Sequence, residues 1–268
     1  MDIAERQKPK PGELFLDHVA HFVPDLAAAG KLLEALGFVV TPESAHRADG
    51  GPAGTSNRCL MFEEGYIEIL APTLDTPNAR RVRTLMSRYD GVHLVCFGTP
   101  DAAGEHRRLA AHGFEPEPLV NLQRTVDSGG TVRFNVIYVP PQKMPEGRIQ
   151  YVQQLTPEQI WLPKYVAHEN GALGLAAVYV EGPDPVATAA RWARFAGLLP
   201  RPEGDAVRLE TARGTVIVRE GAMPSIAGYA LKCRDPRAFL KRCREHGLAV
   251  VGQRVQLPPA LGGTWTIT

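Results

Sequence analysis

The chain has 268 residues, is 44% hydrophobic, and carries 30 basic against 29 acidic side chains for a formal charge of +1. That size allows one large domain or two of ordinary size with a real core. The balance of charge gives no electrostatic reason to expect nucleic acid or an anionic membrane surface as a partner, and no run approaches the roughly 18 apolar residues of a membrane span. Cys59, Cys96, Cys233 and Cys243 form no CxxC pair, so buried reduced thiols fit better than a metal cluster. The opening MDIAERQKPKPGE is polar and has no apolar signal core, which makes the cytoplasm the expected location.

The first apolar run, LDHVAHFV (16–23), reads as a strand carrying His18 and His21. Their odd spacing sends the two imidazoles to opposite faces. Asp25 suits a helix N-cap, Leu26, Ala29, Leu33 and Leu36 recur at helical spacing, and Gly37 suits the stop. Strand-like FVVTP, RCLMF and YIEILAP follow, with Gly65 at the turn between the last two. NARRVRTLMSR (78–88) has amphipathic spacing and reads as a solvated helix.

The order then recurs. GVHLVCFGTP leads to Asp101, a helix through Leu109, Gly113, and then FEPEPLV, RFNVIYVP and RIQYVQQL. TPEQIWLPKYVAHENGALG (156–174) mixes prolines, glycines and aromatics and reads as a connection. LAAVYVEGP opens a third unit at Asp184 and Gly197, with AVRLE and GTVIVRE after it; AGYALKCR opens a fourth at Asp235 and Gly247, followed by LAVVGQRVQL and TWTIT. From Asp to Gly the interval is 12, 12, 13 and 12 residues, a regularity that chance does not produce. The expected fold class is α+β, with four β-α-β-β-β units paired into two domains: 13–155, a connection at 156–174, and 175–268. Each unit has one apolar sheet face, so paired units should close around a cavity.

Glu68 stands out without any comparison. A carboxylate between Ile67 and Ile69, flanked by Tyr66 and Leu70, is costly to bury unless it is paired or metal-bound.

Four such units opening with DHVAHFVPDL…LGF resemble the vicinal-oxygen-chelate superfamily, and GTSN (54–57), GYIEIL (65–70), QR (123–124) and HENGA (168–172) resemble its glyoxalase-like proteins. The resemblance implies an eight-stranded cup with a divalent metal on its floor, ligated from the first and last strands of each unit. It places metal ligands at His18, His93, Glu68 and Gln150, with Gln153 and Gln154 as the alternatives for a slipped strand register, and makes Glu68 the catalytic proton shuttle. Gln150 departs from the second carboxylate usual there. A set of two imidazoles and a carboxylate suits Fe, Mn, Zn or Ni. Arg124 suits an anionic group of the substrate, and Asn57 would sit at the pocket rim. His168 and Asn170 read as stabilisers of the connecting turn. Ala177, Tyr229 and Ile217 occupy the matching positions of the second half and cannot chelate a metal, so that half reads as a structural partner or lid. Two functions are expected to compete: a metal-dependent enzyme (glyoxalase-like lyase or isomerase, or oxygenase) whose small-molecule substrate chelates through adjacent oxygens, and a metal-free small-molecule binder. A homodimer stays open as an assembly.

Overall fold

The computed structural model describes residues 2–48, 51–126 and 129–268. Its elements repeat one order four times. β1 (Phe15–Phe22), α1 (Leu26–Ala35), β2 (Ser44–Ala48), β3 (Gly51–Met61) and β4 (Tyr66–Pro72) are followed by the helix α2 (Pro77–Met86). β5 (Val92–Gly98), α3 (Ala102–Ala111), β6 (Val120–Thr125), β7 (Thr131–Ile137) and β8 (Arg148–Gln154) form the second unit, and a single turn, α4 (Pro163–Val166), follows. The third is β9 (Ala172–Gly182), α5 (Pro185–Ala196), β10 (Pro200–Glu203), β11 (Ala206–Glu210) and β12 (Thr215–Glu220). The last is β13 (Ser225–Cys233), α6 (Pro236–Glu245), β14 (Ala249–Val251), β15 (Arg254–Gln256) and β16 (Thr264–Ile267).

The recurring Asp and Gly do what their chemistry suggests. The carboxylates of Asp25, Asp101, Asp184 and Asp235 each accept from backbone N–H groups in the first turn of their helix. At the other end Gly37, Gly113, Gly197 and Gly247 all lie at φ between 67° and 82°, where a Cβ would be strained.

The first eight strands close on themselves in the order β1-β4-β3-β2-β6-β7-β8-β5, with β5 returning to β1. The second half stays open: β10, β11, β12, β9, β13, β16, β15 and β14 pair in that order. Ile226 opposite Val92 joins the open sheet to the ring, and isolated bridges pair Phe15 with Arg213 and Glu64 with Gly174. Two apolar clusters result. One fills the ring interior with Ala20, Phe22, Cys59, Met61, Leu94, Cys96 and Phe134. The other lies between the outer sheet faces and the helices, around Trp192, Phe195, Phe97, Phe239 and Trp265.

Two strand expectations need correction, and one is FEPEPLV, of which only Val120 lies in a strand, β6. The other, FVVTP, is not a strand; the second strand of the first unit is Ser44–Ala48. The backbone of FVVTP is committed elsewhere, since Val39 N–H donates to His168 Nδ1 and Thr41 N–H to the Cys59 carbonyl. The 156–174 connection is also more than a tether. Trp161 and Tyr165 are buried against the ring, the Trp161 indole donates to the Phe62 carbonyl, and its ring meets Tyr66 edge-on at 5.7 Å. His168 and Asn170 hold this strap to the first unit through the Met61 and Leu36 carbonyls.

His21 faces the second half of the chain, bonding the Leu261 carbonyl through Nδ1 and the Tyr229 hydroxyl through Nε2, each at 2.9 Å. Burial pushes His21, His168 and the β2 histidine His46 down from 6.5 to about 4. The folded chain therefore holds them neutral while the unfolded chain takes up protons below pH 6.5. Their stabilisation is complete above pH 6.5 and is lost as pH falls toward 4, at about 1.4 kcal/mol per pH unit for each histidine. The melting temperature should drop steeply between pH 6.5 and 4; equal melting at pH 7.5 and 4.5 would contradict this.

Candidate functional site

Register defines the floor of the ring. Across β4, β1, β5 and β8 one row runs Tyr66, His18, Cys96, Gln150, and the next runs Glu68, Ala20, Leu94, Arg148. Residues paired across strands share a face, so His18, Glu68 and Gln150 face the same side. Gly65 permits this arrangement. Its φ is +74°, and a Cβ there would stand 2.5 Å from the Asp17 carbonyl, pushing β4 away from β1.

His18 is fixed from behind. Its Nδ1 lies 2.6 Å from the Asp17 carboxylate and donates to it, which leaves Nε2 as the nitrogen turned toward a ligand. Tyr66 stacks on the imidazole at 4.2 Å and sets its hydroxyl 3.5 Å from Nε2. A carboxylate behind a histidine is the usual support for a metal-ligating imidazole. Glu68 is 6% exposed; its Oε1 accepts the Asn57 amide at 2.6 Å. Gln150 donates its amide to Cys96 Sγ at 3.7 Å, while its Oε1 is buried with no partner.

His93 does not join them. Phe22 N–H donates to its Nδ1, its Nε2 donates to the Tyr89 carbonyl at 2.8 Å, and its ring is stacked between Phe22 and Tyr89. Both nitrogens are spent on the backbone, so the expected role of His93 as a ligand is corrected. The reason is parity. His18 precedes its capping Asp25 by seven residues, but His93 precedes Asp101 by eight. The extra residue is His93 itself, left out of the pairing where the β1–β5 register shifts between Leu94 and Val92, and Leu94 takes the place that matches His18.

The structure adds His46, which sequence reasoning missed. It is 5% exposed, bonds Thr55 Oγ1 through Nδ1 at 3.0 Å, and brings Nε2 to 3.7 Å from Glu68 Oε1. Besides burial, its protonation is opposed by Arg124, Arg148 and His18 and favoured by Glu68, which puts all five groups in one electrostatic neighbourhood. SAHRA offered no apolar pattern to mark it. Only its place between two strands of the same unit could have done so.

Arg124 is 4% exposed, yet among the described residues it has no carboxylate partner; Cys59 Sγ lies 4.0 Å from Nη2. It lines a cavity of about 190 Å³ with Thr41, Ser44, Ile160 and Tyr165, under the strap. Asn57 Oδ1 and Gln154 Oε1 are also buried without partners, and Gln154 donates to Asp17. Gln153 instead bonds the Pro100 carbonyl and Asn135, on the outer side of β8. No group of three His, Cys, Asp or Glu side chains converges as a metal cage among the described residues. The donor set that does face the interior is His18 Nε2, the Glu68 carboxylate and the orphaned Gln150 Oε1.

Solved structures share this architecture. A hypothetical protein from Staphylococcus aureus superposes with a TM-score of 0.69 at 15% identity, covering 95% of this chain and 98% of its own. A mutant 4-hydroxymandelate synthase from Streptomyces coelicolor gives 0.57 at 19% identity, over 92% and 78% of the two chains. The Mn(II)-bound glyoxalase from Novosphingobium aromaticivorans gives 0.54 at 9%, over 94% and 81%. These likenesses, none above 19% identity, show a shared fold. The glyoxalase-like domain matches residues 16–196, and the chain belongs to that family. Among curated proteins, none matches the chain in sequence. No helix among the described residues is long and apolar enough to cross a membrane.

Proposed function

We propose that the ring of the first eight strands is the active site of a metal-dependent enzyme acting on a small anionic molecule with adjacent oxygens. The observation that carries this reading is the buried, unpartnered Oε1 of Gln150, two strands along the row from His18 with Cys96 between them. A buried acceptor without a donor costs about 1–3 kcal/mol, and a cation there would remove that cost. The residues fit a divalent cation with three protein ligands: His18 through Nε2, Glu68 and Gln150, as in catalytic sites that keep open positions. The chemistry supplied by such a cation is Lewis-acid polarisation of the ligand's oxygens.

The chain's own groups do the rest. Arg124 binds and orients an anionic end of the ligand with its planar fork of donors. Asn57 fixes the Glu68 carboxylate, and His46 stands close enough to stabilise it or share its proton, so Glu68 holds and moves the proton. The strap, through Ile160 and Tyr165, narrows the opening and limits water.

Arg124→Met keeps the side-chain length and removes the charge. It should weaken a carboxylate ligand by about 10–100-fold while leaving bound metal unchanged, as read by titration calorimetry and elemental analysis. A metal-free binding protein is the second reading, favoured by Leu94 standing where a second imidazole would complete the metal set. Protein that takes up neither Mn, Fe, Ni nor Zn on reconstitution, yet binds small anions, would establish it in place of the enzyme.

A further inference from the structure

The ring has a second approach at the end opposite the strap. The strap packs beside Tyr66, where β4 begins; α2 packs beside Gly54 and Pro72, where β4 ends, with the Thr76 hydroxyl bonded to the Ala53 carbonyl. Between α2 and the start of β8 is a cavity of about 280 Å³, lined by Leu85, Tyr138, Val139, Pro141 and Arg148, with Arg81 on its wall.

Several guanidiniums surround this cavity and most are spoken for. Arg80 pairs with Asp75, Arg81 with Glu117, and Arg88 donates to the Pro145 carbonyl. Arg148 is different. It is half-buried, its guanidinium lies 5.5 Å from the ring centres of both Phe22 and Tyr138, and among the described residues no carboxylate pairs with it. Burial lowers its pKa, and Glu68 is among the acids that favour its charge. Arg148 also occupies the row of Glu68 and Leu94, so it belongs to the ring floor as well as to the outer cavity. A cation held by two aromatic faces in an apolar cavity is well placed to receive an anion carried on an apolar or aromatic body.

We propose that the cavity between α2 and β8 is a second anion-binding position, in which Arg148 receives an anionic group and Leu85, Tyr138 and Val139 hold the apolar or aromatic body attached to it. This deepens the reading of the ring as a small-molecule site: at this end, apart from Arg124, the ligand received is an amphipathic anion rather than a bare inorganic one. The step is binding alone and needs no bond made or broken.

The test uses phenyl phosphate as probe, with inorganic phosphate and benzyl alcohol as controls, titrated calorimetrically into the full chain with metal content measured on the same samples. Phenyl phosphate should bind at least about tenfold more tightly than either control. Arg148→Gln should lose at least about tenfold in that affinity, and Val139→Trp, which fills the cavity without touching a charge, should lose it too. Arg124→Met should retain this binding. The proposal is overturned if phenyl phosphate fails to bind the parent, if inorganic phosphate binds as well, or if both cavity variants bind like the parent. Because binding here does not depend on the metal, absent metal with intact phenyl phosphate binding would remove the enzyme reading and leave this one standing.

Discussion

Leu94→His is expected to convert an incomplete metal set into a complete one. Leu94 is 2% exposed, is register partner to Ala20, and shares its row with Glu68. An imidazole there would be the counterpart of His18 and would add a fourth protein donor beside Glu68 and Gln150. The expected gain in divalent-metal affinity is about 10–100-fold, the scale on which single groups around a metal act. Without metal the same change should destabilise the chain by about 1–3 kcal/mol, because a polar ring replaces a well-packed leucine in the ring interior. Metal binds only the folded state of such a site, so saturating metal should return more than that loss. The pattern to look for is a melting temperature below the parent's in chelator and above it in metal. A variant indifferent to metal would show that Leu94 does not face the ligand set.

His93→Ala is expected to do the reverse: damage the fold and leave the metal alone. His93 is 2% exposed, accepts the buried Phe22 N–H, donates to the Tyr89 carbonyl, and packs between two aromatic rings at 4.9 and 5.3 Å. Truncation strands one donor and one acceptor and opens a cavity, for a total of about 3 kcal/mol. In a chain of this size that corresponds to a fall in melting temperature on the order of 5–10 °C. His93→Gln, which keeps a polar side chain near both backbone groups, should recover part of the loss. Metal content should stay at the parent's level in both. The first result separates a structural histidine from a ligand, because a ligand's loss would show most in metal and least in chelator-treated protein.

Much of the architecture was legible because it rests on short-range rules. The four Asp caps and four Gly stops are local chemistry, and each appears in the structure in the role its residue type favours. That His18 and His21 face opposite ways followed from strand alternation alone; which of them faces the ring did not. What failed was counting across a strand that changes register. His93 stands the same distance from the start of its run as His18 does, but one residue farther from its capping aspartate, and one residue reverses a side chain's face. Anchoring the comparison at the caps would have selected Leu94. The strand at Ser44–Ala48 was missed for a different reason. The apolar FVVTP before it satisfies strand propensity, yet its backbone is taken up by His168 and Cys59, and the polar SAHRA pairs with β3 and β6 instead. His46 went unseen with it. Arg148 was hidden because its environment is built from Phe22, Tyr138 and α2, which are distant in sequence.

The most direct measurement is the metal content of untagged protein reconstituted separately with Mn, Fe, Ni and Zn, for the parent, His18→Ala and His93→Ala. The site described above predicts near-stoichiometric metal in the parent and in His93→Ala, and its loss in His18→Ala. Metal lost from His93→Ala but kept by His18→Ala would contradict it, as would a parent that takes up none of the four.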